Sequence, residues 1–363
     1  MQGSVNRLWP VVSSIAAIGL ALGVGAVLIA IAGVNPLQAY SVLFNEALLN
    51  YYGLGNTLTK AAPLLLTALG VLIALKAGQF NIGGEGQIYM GGLGSAIAGL
   101  YLPGLPLWLH VPLALACGFG LGALWGLIPG YLKAFRGVNE VITTLLLNYV
   151  AQYFVSYLVS GPMLAPNAPS PFSPPLAPTA QLPIILPQTQ AHAGIFVAIA
   201  MTLLGWIILT YTPFGYQIEA VGQNPTAARY AGMAVRRTVM AALAIAGGLA
   251  GLAGAGEVMG LRYRLFENFS PGYGFNAIAI AILSRGNFAG LTLIALFFGA
   301  LRSGANVMQR SAGVPVTIVD AIQGLTVLFI AISLVVERRL LKPRLASYSP
   351  SPLAPGQEPT STP

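Results

Sequence analysis

The sequence predicts an all-α, polytopic integral membrane protein with about ten transmembrane helices. Hydrophobic residues make up 56% of the chain, charged residues only 7%, and the mean hydropathy is +0.76. An ordinary soluble domain does not reach these values. Apolar stretches also recur from one end to the other, and roughly 17 to 25 such residues cross a hydrocarbon core. Residues 1–340 therefore read as one transmembrane domain, followed by a polar tail, 341–363, expected to be disordered on the cytoplasmic side.

The first span is placed at 10–33. It follows a single Arg and lacks an A-x-A-like cleavage site, so it is expected to be a retained helix rather than a removed signal peptide. Spans at 61–76 and 86–102 come next, separated by the glycine-rich "KAGQFNIGGEGQ". The first of these is shorter than the roughly 20 residues of a simple span, which predicts a broken, tilted or re-entrant element. Spans follow at 110–132, 140–160, 193–211 and 238–258. The segment 273–285 is short in the same way, and 288–304 and 316–336 complete the set. The chain holds 44 glycines, and runs such as "GGLGSAIAGL" and "AGGLAGLAGAG" offer small faces on which helix backbones approach closely.

Lys and Arg in short loops favour the cytoplasm. With the amino terminus inside, Arg7, Lys76, Lys133, Arg136, Arg229, Arg236, Arg237, Arg285, Arg338, Arg339, Lys342 and Arg344 are cytoplasmic, which is 12 of the 17 basic residues. Lys60, Arg262, Arg264, Arg302 and Arg310 fall outside. Both termini are then cytoplasmic. The loop 161–191, with nine prolines and no charge, is external and irregular, read as a solvated connector rather than a lid. Its apolar "FSPPL" and "LPIIL" segments also suit contact with a docked protein. The net charge of +8 is accounted for by the inner loops and does not imply nucleic-acid binding. The single cysteine, Cys117, excludes an internal disulfide and a multi-thiolate metal site. His110 and His192 have no nearby acid or cysteine, and no P-loop is present, so neither catalysis nor ATP hydrolysis is expected of this chain.

Polar groups at membrane depth carry the remaining signal. Glu140, Thr144, Asn148 and Gln152 recur every fourth residue and form one stripe on a helix otherwise lined by Val, Leu and Tyr. The stripe either lines a translocation pathway or hydrogen-bonds to neighbouring helices. Glu140 reads as a structural or gating partner for a cation. In the last span Thr317, Asp320, Gln323 and Gly324 repeat the theme, with Arg302 or Arg310 as the expected partner of a buried Asp320. In "AGQFNIGGEGQ", Asn81, Glu85 and Gln87 can satisfy backbone groups exposed by a glycine-rich break, as a helix connection or as part of a pathway.

The loop 212–237 is the long basic loop between spans. "NPTAARYAGM" predicts a short helix with Asn224 as N-cap, Pro225 in the first turn and Gly232 at its end. Two fates suit such a helix: docking in the groove of a soluble partner, with Tyr230 and Met233 as apolar anchors, or lying on lipid headgroups.

"GQFNIGGEGQIYMGG", "NEVITTLLLNYVA", "EAVGQNPTAARYAGM" and "FSPGYGFNAIAIAIL" resemble, in order and spacing, the permease subunit of bacterial ABC importers of the ribose, branched-chain amino acid and nucleoside group. The resemblance runs over about residues 10–340 and is nearest the simple-sugar or nucleoside branch. It implies the ABC importer permease fold in the bacterial inner membrane, and a coupling helix comprising Glu219, Ala220, Gly222, Asn224, Ala227, Ala228, Arg229 and Gly232. The implied partners are ABC ATPase subunits, a second permease of the same or a related chain, and an external substrate-binding lipoprotein. ATP and magnesium would sit on the ATPase, with no cofactor on this chain. A small polar solute would pass Asn81, Glu85, Gln87, Thr144, Asn148, Gln152 and Asn276. An ion-coupled secondary transporter or channel, with Asp320 and Glu140 carrying protons or cations, is the alternative. A membrane enzyme would cluster acids or histidines near one interface, whereas the nine acids here are dispersed.

Overall fold

The computed structural model describes residues 2–341, so the tail expected to be disordered lies, from residue 342 onward, outside the described residues. The helices are α1 (Gln2–Ile31), α2 (Pro36–Phe44), α3 (Tyr51–Lys76), α4 (Gly84–Tyr101), α5 (Leu107–Arg136), α6 (Glu140–Ser160), α7 (Gly194–Tyr211), α8 (Pro213–Gln223), α9 (Pro225–Tyr230), α10 (Val235–Glu257), α11 (Tyr273–Leu283), α12 (Phe288–Ala312) and α13 (Val316–Leu341). One π-helical turn follows α2 and another, Val258–Arg262, extends α10. Among the described residues no strand forms beyond two isolated bridges. Residues 26–320 make one compact unit, and residues 2–25 with 321–341 belong to a second.

Six helices, α3, α5, α6, α7, α10 and α12, are long and apolar enough to cross a membrane, or seven spans if α1 and α2 count as one bent pair. The bend has a local cause: Gly33 takes a left-handed φ of 80°, and Asn35 caps α2 by accepting from the Leu37 N–H ahead of Pro36. The segment at 86–102, expected as a span, is α4, and nearly all of it is buried. It packs against α5, α10, α6 and α11. A helix enclosed by protein need not be apolar, so Glu85, Gln87 and its glycines lower its hydropathy without exposing polar groups to lipid. The helix at 273–285 is short, as expected, with 11 residues in α11.

The helix placed at 61–76 begins ten residues earlier and runs unbroken for 26 residues. Its polar first turns are accommodated by protein contacts: Thr57 Oγ1 donates to the Ala47 carbonyl at 2.8 Å and Thr59 to Gly55 at 2.9 Å. Pro63 lies inside α3 without ending it.

α10 packs most extensively on α5. Gly118, Gly122 and Gly126 of α5 stand four apart, and a Cβ on Gly122 would overlap the Gly247 carbonyl and the Gly251 backbone. Gly251 in turn presses on Gly118. Such contacts need small residues because every added methyl keeps two helix backbones apart. The Pro-rich loop 161–191 is pinned rather than free: Ser173, Leu176 and Leu182 donate backbone bonds to Leu265, Tyr263 and Met259 at 2.8–2.9 Å, and Leu176 is 2% exposed. The reading of a solvated connector is thereby corrected. Its apolar residues serve as packing groups over the helix ends.

Gly251→Ala should lower the thermal unfolding temperature of the purified protein in detergent, at a cost of about 1–3 kcal/mol from overpacking. Gly120→Ala, at a position with open space around it, should not. Equal stability of the two variants would contradict the close-packed α5–α10 contact.

Candidate functional site

The chain between α3 and α4 turns through glycines, and its backbone polar groups are buried with it. Gly78 adopts a left-handed φ of 72°. Asn81 Oδ1 accepts from the Gly83 N–H at 2.9 Å, and Asn81 Nδ2 donates to Gln87 Oε1 at 3.0 Å. The stripe on α6 meets the same turn. Thr144 Oγ1 accepts from the Ile82 N–H at 3.2 Å. Asn148 donates to the Ile82 carbonyl at 2.9 Å and accepts from the Gly86 N–H at 2.8 Å. Two of the four stripe residues are therefore spent on the backbone of the break. Gln152 and Asn276 are half-buried and join none of these bonds.

Glu85 reaches further. Its Oε2 accepts from the Gly274 N–H at 2.7 Å, so it caps α11 from another helix, with its negative charge at the end where free N–H groups gather. Gly274 has no room for a side chain, since a Cβ there would overlap the Glu85 backbone. Break, α6 and α11 thus form one hydrogen-bonded joint.

The residues expected to form a coupling helix fall into two groups. Asn224 caps α9, accepting from the Thr226 and Ala227 N–H groups at 3.1 and 3.0 Å. Gly232, with φ of 81°, follows α9. Thr226, Ala227, Arg229 and Tyr230 point outward, and Tyr230 is 90% exposed. Ala228 is buried and Met233 partly so, in a cluster with Ala74, Val221, Val239, Leu243 and Ala246. Met233 is therefore an inward anchor, in contrast to the expectation that it faced a partner alongside Tyr230. Glu219 bonds Lys76 at 2.7 Å. Gly222 abuts the Lys76 carbonyl so closely that a Cβ would overlap it, and Ala220 is half-buried beside it. The loop is fastened to the end of α3, immediately before the glycine break.

Of the two acids singled out, Glu140 is buried and pairs with Lys133 at 2.7 Å. Asp320 is not buried: its side chain is 55% exposed and lies 3.8 Å from Arg302. It stands on the outward side of α13, which corrects its reading as a buried charge. Glu257 is a further enclosed acid, 5% exposed. Lys60, Arg262 and Arg302 act on it as positive charges. Its Oε1 has no partner among the described residues. "GAGEVMG" places an acid at the end of an apolar run, a signal the sequence reading passed over. Both histidines are packing groups. His110 bonds Thr179 and the Ala98 carbonyl at 2.9 and 3.1 Å. His192 fills the space over Gly260, and burial pushes its imidazole down to about 4. Among the described residues no group of three His, Cys, Asp or Glu is placed to hold a metal.

The chain is all-helical and multi-pass, with a basic loop fastened to the end of α3 next to a buried glycine joint, and comparison gives its family. Residues 53–331 match the family described as branched-chain amino acid transport system / permease component, and the chain belongs to it. It is 38% identical over 326 residues to the glucose ABC transporter permease protein TsgB13 of Haloferax volcanii, covering 86% of this chain and 85% of that one. To the guanosine ABC transporter permease protein NupP of Bacillus subtilis it is 35% identical over 341 residues, 91% of this chain and 95% of the relative. To the nucleoside ABC transporter permease protein NupB of Lactococcus lactis it is 33% identical over 372 residues, 97% and 99% of the two chains. No solved structure matches significantly. The chain is a transporter component rather than an enzyme, and a multi-pass membrane protein.

Asn148→Ala strips partners from the Ile82 carbonyl and the Gly86 N–H together. Leaving such groups buried costs about 1–3 kcal/mol, so its unfolding temperature in detergent should fall clearly below that of Gln152→Ala. A wild-type transition for Asn148→Ala would remove the structural role assigned to the stripe.

Proposed function

We propose that this chain is the membrane-spanning permease subunit of an ATP-driven importer that takes up nucleosides or simple sugars across a bacterial inner membrane. Family membership and the functions named for three relatives that match most of the chain support it. One observation carries the mechanism: the outward tip of α9 belongs to a loop bound to the end of α3 through Lys76–Glu219 and the Gly222 contact. A soluble ATPase gripping Ala227, Arg229 and Tyr230 would thus act on the helix that leads into the glycine joint. Binding of ATP on that partner, with magnesium, shifts a pair of permeases between inward-open and outward-open states to the extent that the ATPase prefers one of them. This chain supplies the coupling surface and the path, and an external lipoprotein delivers the solute to a pair made with itself or a related permease.

In this reading the protein has ten spans with both termini cytoplasmic. The bent α1–α2 pair, α4, α11 and α13 complete the six apolar helices, and α4 is shielded from lipid by its neighbours. The ion-coupled alternative is weakened at both of its acids, since Glu140 is held by Lys133 and Asp320 is largely open to its surroundings.

Two measurements test the proposal. Cells expressing the chain with its neighbouring subunits should accumulate labelled guanosine or glucose, and a hydrolysis-dead ATPase should abolish that accumulation. Uptake that survives the dead ATPase and collapses with an uncoupler would favour the ion-coupled reading. Tyr230→Asp combined with Ala227→Trp should also release the ATPase during co-purification while the permease keeps its unfolding temperature, because both side chains are exposed. Wild-type yields of bound ATPase would place the coupling surface elsewhere.

A further inference from the structure

α7 and α12 both pack on α3 and leave a groove of about 670 Å³ between them, at the end of α3 where Lys76 holds Glu219. Its walls are one face of each helix. Leu203, Trp206 and Thr210 stand three and four residues apart on α7, and the same spacing joins Phe288 and Ala289 to Thr292 on α12. Thr202 and Thr210 both line it, so it runs about 12 Å along α7 at the α-helical rise. The turn between α11 and α12 closes one end. Arg285 and Gly286 take left-handed φ values of 49° and 84° there, and a Cβ on Gly286 would stand 3.9 Å from Lys76 Cε.

The groove is charged at that end and apolar along its length. Lys76 and Arg285 are its two cations, and no carboxylate lines it. Glu219 takes one of the three ammonium donors of Lys76 and offsets one charge. The second cation remains, and the first turn of α12 beside it adds a partial positive charge. That balance suits one negative charge spread over more than one oxygen. Further along, the threonines present methyl groups, because Thr202 Oγ1 donates to the Ala198 carbonyl at 2.8 Å and Thr292 Oγ1 to the Phe288 carbonyl at 3.1 Å. Trp206 meets Tyr211 edge-on at 5.4 Å near the charged end, and such rings favour the membrane–water boundary. α7 is long and apolar enough to cross a membrane, and its Phe196, Leu203 and Ile207 are exposed, so lipid chains reach the groove from the side. A second copy of the chain is a poorer match for the cations. Within residues 26–320, Glu46, Glu85, Glu140, Glu219, Glu267 and Asp320 are bonded inside the chain and Glu257 is enclosed.

We propose that this groove binds one anionic phospholipid, with its phosphodiester between Lys76 and Arg285 and an acyl chain lying along α7 and α12. The inference needs the chain's membrane placement and is independent of the solute it moves. Lys76 is shared, since its ammonium also holds Glu219 of α8. The bound headgroup therefore joins the end of α3 to the α11–α12 turn next to the contact that fastens the loop bearing α8 and α9.

The test titrates the full chain, purified in an uncharged detergent, with phosphatidylglycerol or phosphatidylcholine of the same acyl composition and counts bound lipid by native mass spectrometry. One phosphatidylglycerol should be held about tenfold more tightly than phosphatidylcholine, as a charge-assisted contact gives. Arg285→Gln should remove that preference. Ala289→Trp, which fills the groove from an exposed position and touches no charge, should weaken phosphatidylglycerol by about the same factor. Equal retention of the two lipids by the parent would overturn the proposal. So would parent-like phosphatidylglycerol affinity in Ala289→Trp, a result that stands even if Arg285→Gln does not fold. Displacement of the lipid by glycerophosphoglycerol, the headgroup without its chains, as readily as by phosphatidylglycerol itself would overturn the acyl-chain contact and leave a site for a soluble phosphodiester. Lipid-free dimers that Ala289→Trp converts to monomers would also overturn it, making the groove a contact between copies.

Discussion

The demand that buried backbone groups be hydrogen-bonded governs the centre of this protein. Between α3 and α4 the chain leaves helical geometry inside the protein, where water does not repair the lost bonds and each unpaired group is costly. Asn81, Thr144 and Asn148 answer that demand from two directions. Glu85 extends the same solution to α11 by accepting from Gly274. Because these bonds join three elements distant in sequence, the joint holds only when all three are in register.

Small residues meet a second demand created by the first. A glycine-rich, polar α4 is stable in a membrane protein only if other helices hide it, and α5 and α10 come close enough to do so because Gly122, Gly247 and Gly251 lack side chains. The same enclosure explains why hydropathy undercounts the helices that cross. Apolar surface is required where a helix meets lipid, and α4 meets protein.

How far the sequence disclosed this architecture depends on whether the signal was local. The stripe Glu140–Thr144–Asn148–Gln152 was legible as one face of a helix, and so was the Asn224 cap of α9, because both follow from spacing along a single segment. What the stripe faces was not legible. Lining a path and holding a backbone call for the same residue types, and only the arrangement of α4 against α6 distinguishes them. The first ten residues of α3 were hidden by Asn56, Thr57, Thr59 and Lys60: the Ala47 carbonyl answers Thr57 and the Gly55 carbonyl one turn back answers Thr59, while Asn56 and Lys60 line a polar cleft. Asp320 and Met233 misled for a similar reason: periodicity gives a face, and burial of that face is decided by which neighbour arrives. Glu257 was overlooked although an acid at the end of an apolar run is a strong local signal.

Polar side chains within membrane depth divide here into those already bonded to protein and those left open, and the division separates architecture from ligand chemistry more sharply than residue type does. An Asn such as Asn148, with its carbonyl and amide both engaged by backbone, can turn to a solute only by breaking two buried bonds. That penalty is of the same order as the interaction a small neutral solute would offer in return. Asn56 faces no such exchange. A solute that must bind weakly enough to move on is better served by groups whose bonds in its absence are to water, since water is displaced at little net cost. The bonded joint therefore resists rearrangement, whereas polar groups of α3 that hold no protein partner exchange water at little cost.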